Sequence, residues 1–206
     1  MNIHGEEVYR LFNNDEIIDE KKYIICKTPI YANEKDYDGI AIIKDRINDI
    51  LIDGDHHMIH NFIDNEEVVK FLITNGADVN VKSFLNWTPL YYVNNVNVAK
   101  LLLNAGAIID IEDEINETPL FINDNIDIID LLIENGADIN HRDINLNTAL
   151  HHAVIRNKLS KVKTLIKAGI NIHAKNTNGN TPFRLAYING FNEIAQYLRS
   201  HLKRSW

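Results

Sequence analysis

A short motif recurs along this 206-residue chain at a nearly constant spacing. It is Thr-Pro-Leu or a close variant beginning at Thr88, Thr118, Thr148 and Thr181, so that successive copies lie 30, 30 and 33 residues apart. A period of this length indicates small structural repeats. No single repeat buries its own apolar surface, so neighbouring repeats must stack.

Each copy of the motif carries signals for two helices. Thr caps a helix N-terminus and Pro fits the first helical turn, which predicts that a first helix begins at the motif. Apolar residues at i, i+3 and i+4 spacing follow and predict a second helix with one buried face. A glycine then ends that helix in the left-handed conformation. These glycines are Gly106, Gly136 and Gly169, and Gly76 marks the same position before the first copy of the motif.

The Thr-Pro-Leu helix starts and the helix end at Gly76-Ala77-Asp78-Val79-Asn80 resemble the ankyrin repeat over about residues 65–198. The resemblance implies an all-α ankyrin-repeat solenoid of helix-turn-helix units with β-turn fingers, about five to six repeats with the capping units. We expect one domain over residues 1–206, with a degenerate N-terminal cap or repeat (1–57), repeats (58–198) and a C-terminal cap (199–206). Helices are expected over residues 5–12 and 193–203.

The units that begin at Thr88 and Thr118 are three residues shorter than the 33 that are usual in the family. The loss falls between the two helices of each unit. We therefore expect the first helices of these two units to be shortened by most of a turn.

Charge is distributed unevenly along the chain, whose formal net charge is -8. Residues 6–140 hold 10 basic and 27 acidic side chains, whereas residues 141–206 hold 11 and 2. This pattern argues against a nucleic-acid-binding protein, which would present a basic surface. The acidic part favours a protein partner with a basic surface, and simple solubility is the alternative explanation.

The compartment is predicted from the lone cysteine and from the absence of long apolar runs. Cys26 has no second cysteine to pair with, which favours a reducing compartment, and it is expected to be a small buried side chain. The N-terminus is polar and acidic, unlike a secretion signal. We expect a cytoplasmic protein that is monomeric when free and does not bind membranes, or one in a host cell if it is a secreted effector.

The histidines are the main candidates for chemistry. His56 and His60 would share a face if their segment were helical, but no carboxylate or cysteine lies at a matching spacing, so we expect no metal site. The family resemblance implies that His151 bonds between repeats and that His152 points to the concave face. Titration of His152 near neutral pH would make binding pH-sensitive. No cofactor and no catalytic residue is expected.

Two fingers stand out as a candidate binding surface. Residues 110–117 carry five carboxylates, and residues 82–87 carry two aromatics and a leucine. In ankyrin proteins the finger tips and first-helix faces form the concave binding surface. The candidate contact residues are Phe84, Leu85, Trp87, Tyr91, Tyr92, Glu112, Asp113, Glu114, Glu117, Asn147 and His152. As alternatives, Phe84 and Leu85 pack under the neighbouring finger, and Tyr91, at the histidine position, lies partly in the core.

These features predict a non-catalytic protein-binding module. The first hypothesis is an immunity-type inhibitor that neutralises a basic toxin of a bacterial system. The second is a pathogen or viral ankyrin effector that captures a host protein. The third is an enzyme scaffold, which requires an unrecognised catalytic segment near residues 1–50.

Overall fold

Every Thr-Pro-Leu motif or variant begins a helix, as predicted. The structure is a computed structural model that describes residues 48, 50–51 and 56–202. The predictions for residues 5–12, for Cys26, for most of the N-terminal 57 residues and for residues 203–206 lie outside the described residues. The chain comprises two compact units, Met1–Ala107 and Ile108–Trp206.

The first unit contains two helix pairs and one small strand pair among its described residues. Strand β1 (Ile50–Leu51) pairs antiparallel with β2 (His56–His57), with Ile50 opposite His57. The helices are α1 (Met58–Asn61), α2 (Glu66–Thr74), α3 (Pro89–Tyr92) and α4 (Val96–Asn104). First helix α1 packs on first helix α3, and second helix α2 packs on second helix α4.

The second unit contains three helix pairs. They are α5 (Pro119–Ile122) and α6 (Ile126–Glu134), α7 (Ala149–Ile155) and α8 (Leu159–Lys167), and α9 (Pro182–Ile188) and α10 (Asn192–Leu202). The first helices pack in the order α5, α7, α9 and the second helices in the order α6, α8, α10. This two-layer arrangement confirms the predicted all-α ankyrin fold. Among the described residues, no helix has the length and apolar content needed to cross a membrane.

The second helices bury the face that the sequence spacing predicts. Positions 3, 4 and 7 of each nine-residue helix are buried, as in α6 with Ile128, Ile129 and Leu132. An asparagine side chain caps the N-terminus of three of them, because a short polar side chain satisfies backbone N–H groups that the helix leaves free. The capping residues are Asn65, Asn95 and Asn125. A glycine with φ of 92° follows α6, as predicted.

The first helices differ in length as predicted. Helices α3 and α5 have four residues each, whereas α7 and α9 have seven. The three missing residues in each of the shorter repeats are therefore lost from the first helix, and this prediction is confirmed.

Candidate functional site

The three fingers of the second unit have the same pattern of hydrogen bonds in their turns. In the acidic finger (residues 110–117), Asp113 accepts hydrogen bonds through Oδ1 from the backbone N–H groups of Ile115 and Glu117. Asp143 does the same in the third finger (residues 138–147), and Asn176 in the last finger (residues 171–180). Such local side-chain bonds fix a turn without secondary structure around it. These residues therefore set the shape of the finger turns.

Adjacent fingers are joined by backbone hydrogen bonds. The N–H of Ile144 donates to the carbonyl of Ile115 over 3.1 Å, and the N–H of Thr177 donates to the carbonyl of Asn145 over 2.8 Å. The three fingers of this unit are consequently linked side by side, and these hydrogen bonds hold the finger tips at defined positions.

Most carboxylates of the acidic finger already have partners within the protein. Asp110 accepts from the backbone N–H of Asp138 over 3.0 Å, and Asp113 holds the turn. Glu112 lies 3.4 Å from the ring of His141. Glu117 is buried, whereas Glu112 and Glu114 are exposed. Glu112 and Glu114 are thus the exposed carboxylates of this finger, fewer groups than the sequence suggests.

Exposed aliphatic side chains lie at the tips of the acidic and third fingers. Ile115, Ile144 and Leu146 are 43%, 54% and 42% exposed. Leu146 has φ of 58°, a left-handed conformation that is costly for a side chain of its kind. The sequence analysis missed these three residues. The available signal was that leucine stands where the other fingers have Asn86, Asn116 or Gly179.

The aromatic finger (residues 82–87) belongs to the first unit. Phe84 and Leu85 are 75% and 49% exposed, so they do not pack under a neighbouring finger as the alternative proposed. Trp87 stacks on Tyr91, with ring centroids 5.4 Å apart, and also meets the edge of Tyr92. These ring contacts join the aromatic finger to α3.

A buried hydrogen-bonded network lies beneath the fingers of the second unit. His152, on α7, places Nδ1 3.3 Å from Oε1 of Glu117 and Nε2 2.9 Å from Oδ2 of Asp143. Asp143 also accepts from the side-chain amide of Asn147, whose Oδ1 in turn accepts from Asn176. The network, which we call the finger network, connects the acidic, third and last fingers.

The two carboxylates of the finger network have opposite pKa shifts. Burial raises the pKa of Glu117, although the nearby His152 opposes this effect. Burial alone would also raise the pKa of Asp143, but the hydrogen bonds from Asn147, His152 and Asn145 bring it below its usual value. Asp143 is therefore the ionised anchor of the network, and Glu117 holds a proton more readily than an exposed glutamate.

Glu117, Asp143 and His152 also form the one group of potential metal ligands found among the described residues. Both ring nitrogens of His152 already face a carboxylate oxygen, and Asp143 accepts backbone and side-chain N–H groups as well. These contacts satisfy the ligand atoms without an ion. The arrangement is that of a histidine held between two acids.

Two other histidines singled out from the sequence, His60 and His151, have structural roles. His56 lies in β2 and His60 in α1, so the segment is not one helix and the two do not share the helical face considered for a metal. His60 is buried and contacts the carbonyl of Trp87 over 3.1 Å. His151 accepts from the N–H of Thr148 and donates to the carbonyl of Asn180 in the next repeat, as the resemblance implied.

Thr88 and Thr118 do not cap their helices, contrary to the sequence prediction. Their hydroxyl groups are buried and have no hydrogen-bond partner among the described residues. In the third repeat the hydroxyl of Thr148 meets Nδ1 of His151 over 2.9 Å. The other two repeats have Tyr91 and Phe121 at that position, where the ring has no nitrogen to pair with the hydroxyl.

Sequence reasoning also missed a buried lysine. Lys161 on α8 is 1% exposed, and its Nζ donates to the carbonyls of Phe121 and Asn123 over 2.9 and 2.6 Å. Burial lowers the pKa of Lys161 to about 8, opposed by the charge of Asp124. The other second helices have Val68, Val98 or Ile128 at this position, so a lysine in an apolar column was the available signal.

The predicted contact residues fall into three groups. Phe84, Leu85, Glu112 and Glu114 are exposed. Those of intermediate exposure are Trp87, Tyr92, Asp113 and His152. Tyr91, Glu117 and Asn147 are buried and have little surface to offer a partner, although Glu117 and Asn147 shape the fingers through the network. The direct contact role of this set stays a prediction.

Comparison with known proteins identifies the repeat. A model of three ankyrin repeats matches residues 56–143 and again residues 122–204. The chain is 45% identical over 58 residues to ankyrin repeat protein OPG189 of Vaccinia virus (strain Copenhagen), covering 28% of this chain and 10% of that protein. It is 39% identical over 69 residues to mouse (Mus musculus) protein phosphatase 1 regulatory subunit 27, covering 30% and 45%. A 55-residue match to human (Homo sapiens) SH3 and multiple ankyrin repeat domains protein 2 is 42% identical, covering 27% and 3%.

The chain thus spans less than half the length of each of these relatives. The matches include a viral ankyrin protein and a regulatory subunit, which supports a role in protein interaction. The match to the family model covers most of the chain and coincides with the five helix pairs of the described residues. The chain belongs to the ankyrin-repeat family.

Proposed function

We propose that this chain is a non-catalytic binder that captures a protein with a basic surface through the fingers of its second unit. The observation that carries the proposal is the composition of the finger tips. Exposed Glu112 and Glu114 lie on the finger that also presents Ile115, and the next finger presents Ile144 and Leu146. Apolar anchors beside charged groups are typical of protein-binding surfaces.

The partner expected for this surface combines an aliphatic patch with lysine or arginine side chains. The aliphatic tips would supply binding energy through burial, and the carboxylates would speed association and reject acidic proteins. The carboxylates would give the complex a strong salt dependence, because exposed charge pairs are screened by ions.

The biological setting has two candidates. An immunity-type inhibitor of a basic toxin and a viral effector that captures a host protein use the same surface chemistry. The resemblance to a Vaccinia virus ankyrin protein favours the viral effector. An adjacent toxin gene in the source genome would favour the immunity protein instead.

The proposal is tested by reversing charge on the acidic finger. The double variant Glu112→Lys/Glu114→Lys leaves Asp113 intact, because Asp113 holds the turn and its loss would deform the finger. We expect capture of the partner from lysate, followed by mass spectrometry, to fall at least tenfold for this variant. The matched control is Asp130→Lys/Glu134→Lys, which makes the same charge change at exposed positions of α6.

The control variant should capture the same partner as the unchanged protein. Added salt should weaken capture by the unchanged protein and by the control. Equal capture by all three proteins at every salt concentration would refute the role of the acidic finger. Capture of acidic proteins alone would refute the basic partner.

A further inference from the structure

The tripeptide Thr-Asn-Gly occurs twice in this chain, at residues 74–76 and 177–179. An asparagine before glycine can lose its side-chain amide without an enzyme, because the backbone nitrogen of the glycine attacks the side-chain carbonyl carbon. Glycine has no side chain to obstruct this approach, and both reacting groups belong to one short segment. Two other asparagines, Asn135 and Asn189, also precede glycine. Because the chemistry is the same at all four sites, large differences in reactivity must come from the fold.

Three of these asparagines end a helix, and their side-chain amides are bound. Asn75, Asn135 and Asn189 follow α2, α6 and α9. In each of them Nδ2 donates to the carbonyl four residues earlier, over 2.9, 2.8 and 2.8 Å. This hydrogen bond holds the side chain against the preceding helical turn. It must break before the side-chain carbonyl carbon can approach the nitrogen of the following glycine.

Asn178 lies instead in the last finger, outside any helix. Its side chain is exposed, and within the described part of the chain its amide has no hydrogen-bond partner. The N–H of Gly179 donates to the carbonyl of Asn176 over 2.9 Å, and the glycine after each of the three helix ends also donates its N–H to a carbonyl. The state of the side-chain amide is therefore what distinguishes Asn178 from Asn75 within the same tripeptide.

We propose that Asn178 is a site of spontaneous covalent modification, at which the folded protein converts its own asparagine to aspartate and isoaspartate. The N–H of Gly179 loses its proton to hydroxide or water, and the nitrogen forms a bond to Cγ of Asn178. The bond from Cγ to Nδ2 breaks, and the amide leaves as ammonia. Water then opens the cyclic succinimide. Its attack at Cγ gives aspartate, and its attack at the backbone carbonyl carbon gives isoaspartate.

Conversion changes the last finger in two ways. Either product adds one carboxylate at an exposed position of the finger. Isoaspartate also lengthens the main chain by one carbon inside the turn, where Oδ1 of Asn176 accepts from the N–H groups of Asn178 and Asn180, so this turn must rearrange. The added carboxylate would favour a basic partner, a consequence that rests on the proposed function.

The experiment compares the two Thr-Asn-Gly sequences in the same sample of the full-length protein. The folded protein is incubated at mildly alkaline pH, and a parallel sample is incubated unfolded in guanidinium chloride. Peptide mass spectrometry then measures conversion at each asparagine and separates isoaspartate from aspartate. We expect Asn178 to convert at least about fivefold faster than Asn75 in the folded protein, which is the rate change that the net strength of one hydrogen bond corresponds to. In the unfolded sample the two rates should be about equal.

The variant Asn178→Gln is the control, because glutamine would have to form a larger ring and reacts more slowly. The acidic form that accumulates on ion-exchange chromatography of the folded, unchanged protein should be absent from this variant. Equal or slower conversion of Asn178 relative to Asn75 in the folded protein would overturn the proposal. An Asn178 that converts only in the unfolded sample, or in neither sample, would also overturn it.

None of these measurements involves the partner. Rapid conversion of Asn178 in a protein that captures no basic protein would uphold the modification site and refute the proposed function. Capture of a basic protein by a chain whose Asn178 stays unconverted would do the reverse.

Discussion

At one position in each finger the backbone is left-handed, and the third finger has a leucine there. Asn86, Asn116, Leu146 and Gly179 occupy the left-handed position of four successive fingers. Asparagine and glycine adopt that conformation readily, but leucine is strained there by about 1–2 kcal/mol. The Leu146 side chain is exposed, so burial does not offset the strain. A strained, exposed leucine at a finger tip supports the proposed contact with a partner.

Replacement of Leu146 by asparagine should therefore separate stability from binding. We expect Leu146→Asn to stabilise the protein by about 1 kcal/mol in denaturant unfolding, because the left-handed strain is relieved. The same variant should bind the partner more weakly. The control Ile144→Asn removes an aliphatic side chain that is 54% exposed, against 42% for Leu146, and that has no positive φ.

For Ile144→Asn we expect weaker binding and no gain in stability. A Leu146→Asn protein that is less stable than the unchanged protein would mean that Leu146 is held by packing. Unchanged binding by both variants would remove the aliphatic tips from the proposed surface.

Two threonines of the Thr-Pro-Leu motif differ in whether their hydroxyl group has a hydrogen-bond partner. The hydroxyl of Thr118 is buried without a partner among the described residues, whereas that of Thr148 pairs with His151. A buried polar group without a hydrogen bond costs about 1–3 kcal/mol. Thr118→Val should thus stabilise the protein by about 1 kcal/mol, and Thr148→Val should destabilise it by a similar amount.

Thermal unfolding of the two threonine variants checks this contrast directly. The same destabilisation in both would show that Thr118 has a hydrogen-bond partner after all, such as bound water.

At the scale of the element, the shortened first helix α5 explains the buried lysine. Helix carbonyls near a C-terminus lack partners within the helix, and α5 ends after four residues. Lys161 donates to the carbonyls of Phe121 and Asn123, and Arg156 reaches that of Ile122 over 3.3 Å. Lys161 and Arg156, both from the following repeat, thereby donate hydrogen bonds to carbonyl groups at the end of the shortened helix.

This arrangement predicts how stability changes at alkaline pH. The pKa of Lys161 is lowered to about 8 from 10.5, so between these values the unfolded chain binds more protons than the folded one. Stability from this group therefore rises with pH from about 8 to 10.5, by about 3 kcal/mol at most. Unfolding of Lys161→Met, compared with the unchanged protein at each pH, isolates the effect.

The exposed Lys167 on the same helix supplies the control, because Lys167→Met removes a charge without removing a buried group. We expect the difference between Lys161→Met and the unchanged protein to vary with pH, and that for Lys167→Met to stay constant. A constant difference for both would contradict the lowered pKa of Lys161.

Across the whole molecule, the number of acidic residues in a segment of the sequence differs from the number of carboxylates that the folded segment exposes. The acidic finger carries five carboxylates in sequence, yet Asp110 and Asp113 serve backbone N–H groups and Glu117 is buried. Other acidic residues, such as Asp127 and Asp130, lie exposed on α6. The net charge is thus spread beyond the fingers, and only a few exposed carboxylates lie on the fingers that carry the aliphatic tips.

Local signals in the sequence are enough to predict the repeat, the helix pairs, the shortened first helices and the ankyrin family. These features depend on local signals, namely proline and glycine positions and the spacing of apolar residues, which act within about ten residues of the chain. His151 was also predictable, because the family motif places it. The Asn65 cap was not predicted, and neither was the Thr118 hydroxyl, which is buried without a hydrogen-bond partner among the described residues because Phe121 lies where the third repeat has His151.

The roles of the polar residues depend instead on contacts that form when the chain is folded. Glu117, Asp143 and His152 come from separate segments and meet because the fingers stack, and Lys161 finds its carbonyls 40 and 38 residues away. Spacing along the chain does not encode such contacts, because the energy of a charge depends on its burial and on its partners in space. The repeat can therefore be predicted from the sequence, whereas packing between the repeats decides which acidic side chains are buried and which are exposed.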